Sequence, residues 1–351
     1  MQPIKIGHFT IDELSEPFVI AEMSGNHNQS LGRAFELVDA AAYAGAHALK
    51  LQTYTADTLT FKGEHPDFAI HDPSSPWFGQ TLHDLYQKAY TPWQWHPEIF
   101  KYARSKGLLV FSSPFDETAV DFLQSLEVPA YKIASFENTH YPLLKKVAQT
   151  GKPVIMSTGV TTLEELTDSV AYLRKQGCKE LILLKCTSTY PASAVDSHLR
   201  TIQDMYQRFD CYIGVSDHTL GIGASIAAVA CGAKVIEKHL TLKRSDGGVD
   251  SSFSLEPDEF KALVEESKKA FLALGKVNYA LSEKEANSRK FKRSIFVIEP
   301  LVSGQVIEPR HLKVIRPATG LEPKYFDDVV GLKAACDVKA GTPLEWKMVQ
   351  K

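Results

Sequence analysis

Short apolar runs alternate with amphipathic segments from residue 17 to about residue 274. The runs are almost continuously hydrophobic, which is typical of parallel β-strands that are buried on both faces. The segments between them repeat apolar residues at helical spacing, as in residues 33–41 and 118–123. The pattern predicts eight strands, at residues 18–23, 48–53, 108–113, 130–135, 153–158, 180–187, 211–217 and 235–240.

Eight strand–helix units within about 260 residues match the size of a closed (β/α)8 barrel, the TIM barrel. A doubly wound open sheet uses the same alternation and is the alternative architecture. No G-x-G-x-x-G motif follows the first predicted strand, which argues against the nucleotide-binding form of that sheet. We therefore predict an α/β fold with a TIM-barrel catalytic domain at residues 1–276.

The pattern changes after residue 275. Residues 277–292 are polar and predict a linker. Residues 293–351 contain short strand patterns and turns, and residues 302–308 resemble residues 338–345 as a weak internal repeat. This predicts a small, mostly-β domain, whose size makes it marginally stable unless it docks on another surface.

One long connection interrupts the barrel pattern between residues 54 and 93, with a Pro- and Ser-rich stretch at residues 72–79. Long loops that follow barrel strands are functional more often than not. This connection is a candidate specificity lid.

Composition narrows the class of protein. The chain has 351 residues, of which 44% are hydrophobic and 23% charged, so a large core is possible. A net charge of −3 gives no reason to expect a nucleic-acid partner. The five cysteines are scattered, and no stretch approaches the roughly 18 apolar residues of a membrane span. The start of the chain lacks a signal-peptide pattern, so a cytoplasmic protein without membrane partners is expected.

Polar and charged residues stand at the carboxyl ends of the predicted strands, where TIM barrels carry their active sites. Polar loops alone explain a single Ser or Thr there. They do not explain charges inside apolar strands, such as Lys50, Lys132 and Glu237, because an unpaired buried charge costs several kcal/mol. Several cations and hydroxyls around one barrel mouth suit an anionic substrate that carries phosphate and carboxylate groups.

Two histidines, His218 and His239, end adjacent predicted strands and can therefore converge. Two imidazoles with a nearby carboxylate suit a divalent transition metal. A general acid–base role or a core position for either histidine is equally compatible with the pattern.

Other functions fit the same residues. Lys132 or Lys185 could form an imine in a Schiff-base aldolase. A non-enzymatic alternative is a sugar-binding protein with a degenerate barrel, although intact Glu22 and Lys50 argue against degeneration.

The motifs at these strand ends resemble those of the sialic acid synthase family, the phosphoenolpyruvate-dependent nonulosonic acid synthases. The matching segments are residues 20–28, 48–53, 113–115, 131–135, 157–159, 186–191, 214–219 and 236–239. Residues 313–317 resemble the antifreeze-like (SAF) domain of that family, so residues 293–351 are expected to form such a domain.

Within the family, several segments are similar to the pseudaminic acid branch rather than to the N-acetylneuraminate branch. They are residues 23–24, 51–58, 84–86, 89–93 and 135–138. The resemblance implies condensation of phosphoenolpyruvate with 2,4-diacetamido-2,4,6-trideoxy-L-altrose. N-acetylneuraminate and legionaminate synthases are the alternatives. Ser188 replaces an Asn that holds phosphoenolpyruvate in the neuraminate enzymes, which leaves that contact open.

The resemblance also implies a role for each site residue. Glu22, Glu137, His218 and His239 would be catalytic. The two histidines would also hold Mn²⁺, Mg²⁺ or Co²⁺, and the SAF domain would cover the barrel of the partner subunit in a homodimer. The substrate-binding residues would be Lys50, Lys132, Ser135, Ser157 and Ser216 for phosphoenolpyruvate and Asp250 and Arg316 for the sugar or its acyl groups. Tyr190 would also bind substrate, near Glu22 and the water attack at C2.

Overall fold

The computed structural model describes residues 1–73, 75 and 77–350. The chain forms two compact units, Met1–Gly275 and Lys276–Lys351. None of the described helices combines the length and apolar character that a membrane span requires.

Eight parallel strands close into a barrel in the first unit, which confirms the predicted TIM barrel. Each strand is buried along nearly its whole length, as the continuous apolar runs predict. The barrel strands are β3 (Phe18–Glu22), β4 (Ala48–Thr53), β5 (Leu109–Pro114), β6 (Tyr131–Ile133), β7 (Val154–Ser157), β8 (Leu181–Cys186), β9 (Tyr212–Asp217) and β10 (Val235–His239).

Two further strands precede the barrel. They are β1 (Ile4–Ile6) and β2 (Phe9–Ile11), which form an antiparallel hairpin that the strand pattern did not predict. Ile6 and Ile11 are fully buried and belong to the hydrophobic core of the barrel unit.

The strand register places the ends of β10, β3 and β4 at one level. His239 pairs with Glu22, and Glu22 pairs with Lys50. On the next pair of strands, Ser216 pairs with Glu237. Because neighbours in register on parallel strands face the same side of the sheet, these side chains share the barrel interior.

One helix follows each barrel strand and packs against it through apolar residues at helical spacing, as Ala34, Leu37, Val38 and Ala41 do in the first. Side chains cap several amino ends, and Ser30 for example accepts a hydrogen bond from the amide of Arg33. These helices are α1 (Leu31–Tyr43), α4 (His96–Ser105), α5 (Glu117–Ser125), α6 (Tyr141–Ala148), α7 (Leu163–Lys175), α8 (Thr201–Phe209), α9 (Gly223–Ala230) and α10 (Pro257–Leu274).

The long connection after β4 contains two more helices, α2 (Ala56–Leu59) and α3 (Leu82–Ala89). This connection was predicted as a lid, and within its stretch at residues 72–79, Ser74 and Pro76 lie outside the described residues.

The second unit has its own small core. Helix α11 (Glu283–Ser288) lies within the segment predicted as a linker, and the core residues include Ile295, Ile307 and Leu344. The remaining elements are β11 (Ser294–Val297), β12 (Leu312–Ile315), α12 (Phe326–Val329), β13 (Lys333–Ala334) and β14 (Val349–Gln350). Strands β11 and β12 pair antiparallel, as do β13 and β14.

The backbone of the second unit reproduces the internal repeat seen in the sequence. Gly304 and Gly341 occupy equivalent turns with φ of 81° and 85°, a conformation that favours glycine. Between the repeats, the backbone amides and carbonyls of Leu301 and Val338 hydrogen-bond reciprocally. The two halves therefore pair with each other, which gives so small a core its compactness.

Candidate active site

Two lysines and two glutamates form a buried charge network inside the barrel mouth, and each is at most 5% exposed. Lys50 Nζ lies 2.5 Å from Glu22 Oε2 and 3.9 Å from Glu237 Oε2. Lys132 Nζ lies 3.5 Å from Glu237 Oε1 and donates a hydrogen bond of 2.7 Å to Ser157 Oγ. Each buried charge therefore has a partner of opposite sign, which offsets its desolvation cost.

The two carboxyls of this network have different pKa values. Burial raises the pKa of Glu22 to about 7, although Lys50 opposes this shift. Burial would raise the pKa of Glu237 too, but Lys132 and Lys50 outweigh it and lower that pKa. Glu237 is therefore the permanent counter-ion, while Glu22 can take up and release a proton near neutral pH. Such a division is typical of catalytic carboxyl pairs.

Hydroxyl groups converge beside Lys132 at the ends of β6, β7 and β8. Ser135 Oγ accepts a hydrogen bond of 3.2 Å from the Gly159 amide. A Cβ atom on Gly159 would lie 2.0 Å from Ser188 Oγ and 2.7 Å from Ser135 Oγ, so any larger residue there would displace these hydroxyls. Ser188 thus lies beside Ser135, one of the residues predicted to bind phosphoenolpyruvate. The sequence had left open whether Ser188 also makes such a contact.

Ser216 is buried on the opposite side of the network and donates a hydrogen bond of 3.0 Å to Glu237 Oε1. The five residues predicted to hold phosphoenolpyruvate all have their side chains in or beside this mouth. Together they offer two ammonium groups and three hydroxyls, which is the chemistry that an anion with phosphate and carboxylate groups requires.

The two predicted metal ligands face each other, with their ring centroids 5.4 Å apart. His218 Nδ1 lies within hydrogen-bond distance, 3.2 Å, of the carbonyl oxygen of Thr187. Burial lowers the pKa of His239 well below its ordinary value, and the neighbouring His218 lowers it further. His239 is therefore a neutral imidazole, which is the protonation state that binds a metal.

One observation supports a divalent cation between these imidazoles, namely a buried ring nitrogen without a hydrogen-bond partner among the described residues. The Nδ1 atom of His239 is buried, and no described group hydrogen-bonds to it. The nearest carboxylate oxygen to it is Asp250 Oδ2, at 4.0 Å. The described part of the chain brings together no group of three His, Cys, Asp or Glu side chains placed to bind a metal, so water or substrate would supply the remaining ligands.

Aromatic rings line one side of the mouth beside these histidines. The ring of Tyr190 lies 4.6 Å from that of His218 and 5.4 Å from that of Phe253, between centroids. Phe253 is fully buried and also packs edge-on against His239, at 5.1 Å. The imidazoles are thus held in place by packing as well as by the strands that carry them.

Two further carboxyls predicted in the site are buried. Asp250 accepts a hydrogen bond from the Ser24 hydroxyl, and burial raises its pKa. Burial also raises the pKa of Glu137 to about 7, with Lys132 opposing. The Oε2 atom of Glu137 has no hydrogen-bond partner among the described residues.

Some strand-end charges lie outside the mouth. Lys238 is fully buried between β10 and β9, where its Nζ lies 2.8 Å from Asp217 Oδ2 and 2.7 Å from the Thr219 carbonyl. Asp246 pairs with Arg33 at 2.9 Å. Arg316 is an exposed residue of the second unit, directly after β12, so its predicted contact with the sugar stays a prediction.

Glu237 was recognised in the sequence as a charge within an apolar strand, but it was not predicted to be a site residue. The signal was available, because Glu237 stands two residues before His239 and alternate residues of a strand face the same side. The same rule places Lys238 on the outer face. Gln52 is, like Glu237, a residue of the mouth that was given no role from the sequence. Its side-chain amide donates a hydrogen bond of 3.2 Å to Glu22 Oε1.

Comparison with known families identifies both units. Residues 37–279 match the model of the NeuB family, and residues 292–350 match that of the SAF domain. A pseudaminic acid synthase of Campylobacter jejuni is 41% identical over 342 residues, covering 97% of this chain and 98% of that protein. A pseudaminic acid synthase of Helicobacter pylori is 40% identical and covers 94% of this chain and 97% of its own length.

Among solved structures, an N-acetylneuraminic acid synthetase from Leptospira borgpetersenii, in complex with citrate, superposes with a TM-score of 0.73. It is 31% identical, and the match covers 82% of this chain and 95% of that one. The barrel architecture is therefore shared with an enzyme that makes a related sugar acid.

Proposed function

The chain belongs to the NeuB family, and we propose that it is a pseudaminic acid synthase. The reaction condenses phosphoenolpyruvate with 2,4-diacetamido-2,4,6-trideoxy-L-altrose and water, and it yields pseudaminic acid and phosphate. The observation that carries this assignment is the sequence identity of about 40% to pseudaminic acid synthases along almost the whole chain.

The buried lysines supply the binding site for phosphoenolpyruvate. Lys50 and Lys132 are already paired with Glu22 and Glu237, so an incoming anion finds cations whose positions are fixed. Ser135, Ser157 and Ser216 add hydroxyl donors to the phosphate and carboxylate oxygens.

The facing histidines supply the second substrate site. His218 and His239 would hold a divalent cation such as Mn²⁺, Mg²⁺ or Co²⁺, which when bound acts as a Lewis acid on the acceptor aldehyde. Tyr190 and Asp250 border this position and contact the sugar.

Glu22 acts on the water molecule that adds at C2. C3 of phosphoenolpyruvate attacks C1 of the acceptor, so that a C–C bond forms, the aldehyde oxygen takes a proton from solvent to become a hydroxyl, and C2 is left electron-deficient. Water then adds at C2 and passes one proton to a carboxylate. The C2–O bond to phosphate breaks last, with its electron pair leaving on the phosphate, and the C2 hydroxyl releases its proton as the ketone forms. Its pKa of about 7 in the free enzyme lets Glu22 carry or lose a proton, and the positive charge that develops at C2 favours the ionised form, which orients this water and accepts its proton.

The second unit completes the site from another subunit. We propose a homodimer in which the SAF domain of one protomer covers the barrel of its partner and brings Arg316 to the sugar. Docking would also stabilise a domain whose own core is small. We further propose that the enzyme works in the cytoplasm.

Product analysis in ¹⁸O-labelled water tests the reaction type. C–O cleavage places the label at C2 of the sugar acid and leaves the released phosphate unlabelled. Label in the phosphate would contradict the proposed cleavage.

A Schiff-base aldolase is the second candidate, because burial lowers the pKa of Lys132, as an imine-forming lysine requires. Borohydride trapping with pyruvate distinguishes the two. A trapped adduct that persists with EDTA favours the aldolase, whereas the synthase gives no adduct and loses phosphate release with EDTA.

A further inference from the structure

We propose that Trp77 selects the acceptor by contacting its C6 methyl group, and that it disfavours acceptors with a hydroxyl at C6. This inference rests on the proposed function, since it names the part of the acceptor that this side of the mouth recognises. Trp77 lies in the long connection after β4, shortly before helix α3.

Two contacts attach Trp77 to the rim of the mouth. Its ring centroid lies 5.9 Å from that of Tyr190, which follows β8. Its indole Nε1 donates a hydrogen bond of 3.1 Å to the carbonyl of Val249, directly before Asp250. The connection after β4 therefore reaches the loops after β8 and β10. Trp77 contacts Tyr190 and the residue before Asp250, the two residues that we propose to contact the sugar.

The surface that Trp77 presents is apolar. Its single polar atom, Nε1, is already used in the bond to Val249, so the ring offers carbon surface to a ligand. The rings of Tyr190 and Phe253 continue this surface to His218. A methyl group gains from contact with such a wall, whereas a hydroxyl there would lose water without a hydrogen-bond partner.

The order of the rings fixes which part of the acceptor meets Trp77. His218 and His239 border the aldehyde at C1 in the proposed reaction, Tyr190 packs on His218, and Trp77 packs on Tyr190. An open-chain sugar that starts at the histidines and follows the rings ends at Trp77. In the proposed acceptor that end is a methyl group.

The experiment compares kcat/KM for two acceptors that differ only at C6. They are 2,4-diacetamido-2,4,6-trideoxy-L-altrose and its 6-hydroxy counterpart, measured with the full-length enzyme. In Trp77→Ala, the preference for the 6-deoxy sugar falls by about 10-fold, which is the discrimination that one methyl-sized contact supplies. Trp77→Phe keeps most of the preference, because it retains an apolar ring without the Nε1 bond.

Phe78→Ala is the matched control. Phe78 lies in the same connection, is 56% exposed and is expected to leave both kcat/KM values unchanged. An unchanged preference in Trp77→Ala would overturn the role of Trp77, even if both rates fall. If the wild-type enzyme turns over neither sugar, it is the proposed function that fails.

Discussion

Replacing Glu22 by Gln is expected to tighten phosphoenolpyruvate binding above about pH 7 and to abolish the pH dependence of that binding. With a pKa of about 7, Glu22 is mostly protonated below neutral pH and ionised above it. The ionised carboxylate competes with the bound anion for Lys50, so the wild-type affinity falls as the pH rises. Glutamine carries no charge at any pH and imitates the protonated acid.

The size of the effect follows from the geometry. Glu22 Oε2 lies 2.5 Å from Lys50 Nζ, and an anion on the other side of that ammonium group lies at about twice this distance. Two unit charges about 5 Å apart repel by about 3 kcal/mol at an effective dielectric constant of ~20. This corresponds to about a 100-fold difference in Kd between the ionised and protonated enzyme.

Titration calorimetry with phosphoenolpyruvate, without acceptor, measures this effect. Between about pH 7 and about pH 9 the phosphate group is already a dianion, since its second pKa is about 6. The enzyme is already half ionised at pH 7, so the wild-type Kd is expected to rise by about 25-fold over this range, while Glu22→Gln stays at the low value. Turnover of Glu22→Gln should fall by about 100-fold or more, because the base is lost.

Glu137→Gln is the matched control, since burial raises the pKa of Glu137 to the same value. Among the described residues Glu137 forms no ion pair with Lys50 or Lys132, whose carboxylate partners are Glu22 and Glu237, so the rise in Kd with pH should largely persist in this variant. A flat wild-type titration would refute the reasoning. So would an equal rise in Glu22→Gln.

Two further predictions concern the metal and the dimer. His239→Ala should weaken Mn²⁺ binding by at least about 100-fold with an unchanged circular dichroism spectrum. His96→Asn should not weaken it, because His96 is a buried histidine at the start of α4 that contacts Thr53 instead. Equal Mn²⁺ affinity in His239→Ala and wild type would remove His239 from the metal site. Arg316→Ala and Lys132→Met should each be inactive, but mixing them under conditions of subunit exchange should restore about a quarter of the wild-type activity, since half of the dimers regain one of two sites. No recovery on mixing would show that Arg316 does not act across subunits.

The barrel could be predicted from the sequence because its strands are buried on both faces. The ends of all eight strands lie within two residues of their predicted bounds, since a continuous apolar run is buried most readily as an interior parallel strand. The hairpin of β1 and β2 was missed because each strand has only three residues. Helix α3 was also missed, although Thr81 caps it and Leu82, Leu85 and Ala89 have helical spacing.

The sequence predicted which residues belong to the site better than it predicted which of them contact each other. Lys50, Lys132 and the two histidines were recognised because charged or imidazole groups interrupt apolar strands. Their pairing was not predictable, because it depends on the register between strands, and β10 pairs with β3 only through closure of the barrel. The contacts of Trp77 with Tyr190 and Val249 could not be predicted either. A long connection without a periodic pattern does not indicate which part of the barrel mouth it packs against.

Competition between two acceptors tests the central assignment most directly. The enzyme receives equal amounts of 2,4-diacetamido-2,4,6-trideoxy-L-altrose and N-acetylmannosamine with limiting phosphoenolpyruvate and Mn²⁺, and mass spectrometry measures both products. We expect pseudaminic acid to account for nearly all of the phosphoenolpyruvate consumed. N-acetylneuraminate in comparable or greater amount would contradict the assignment.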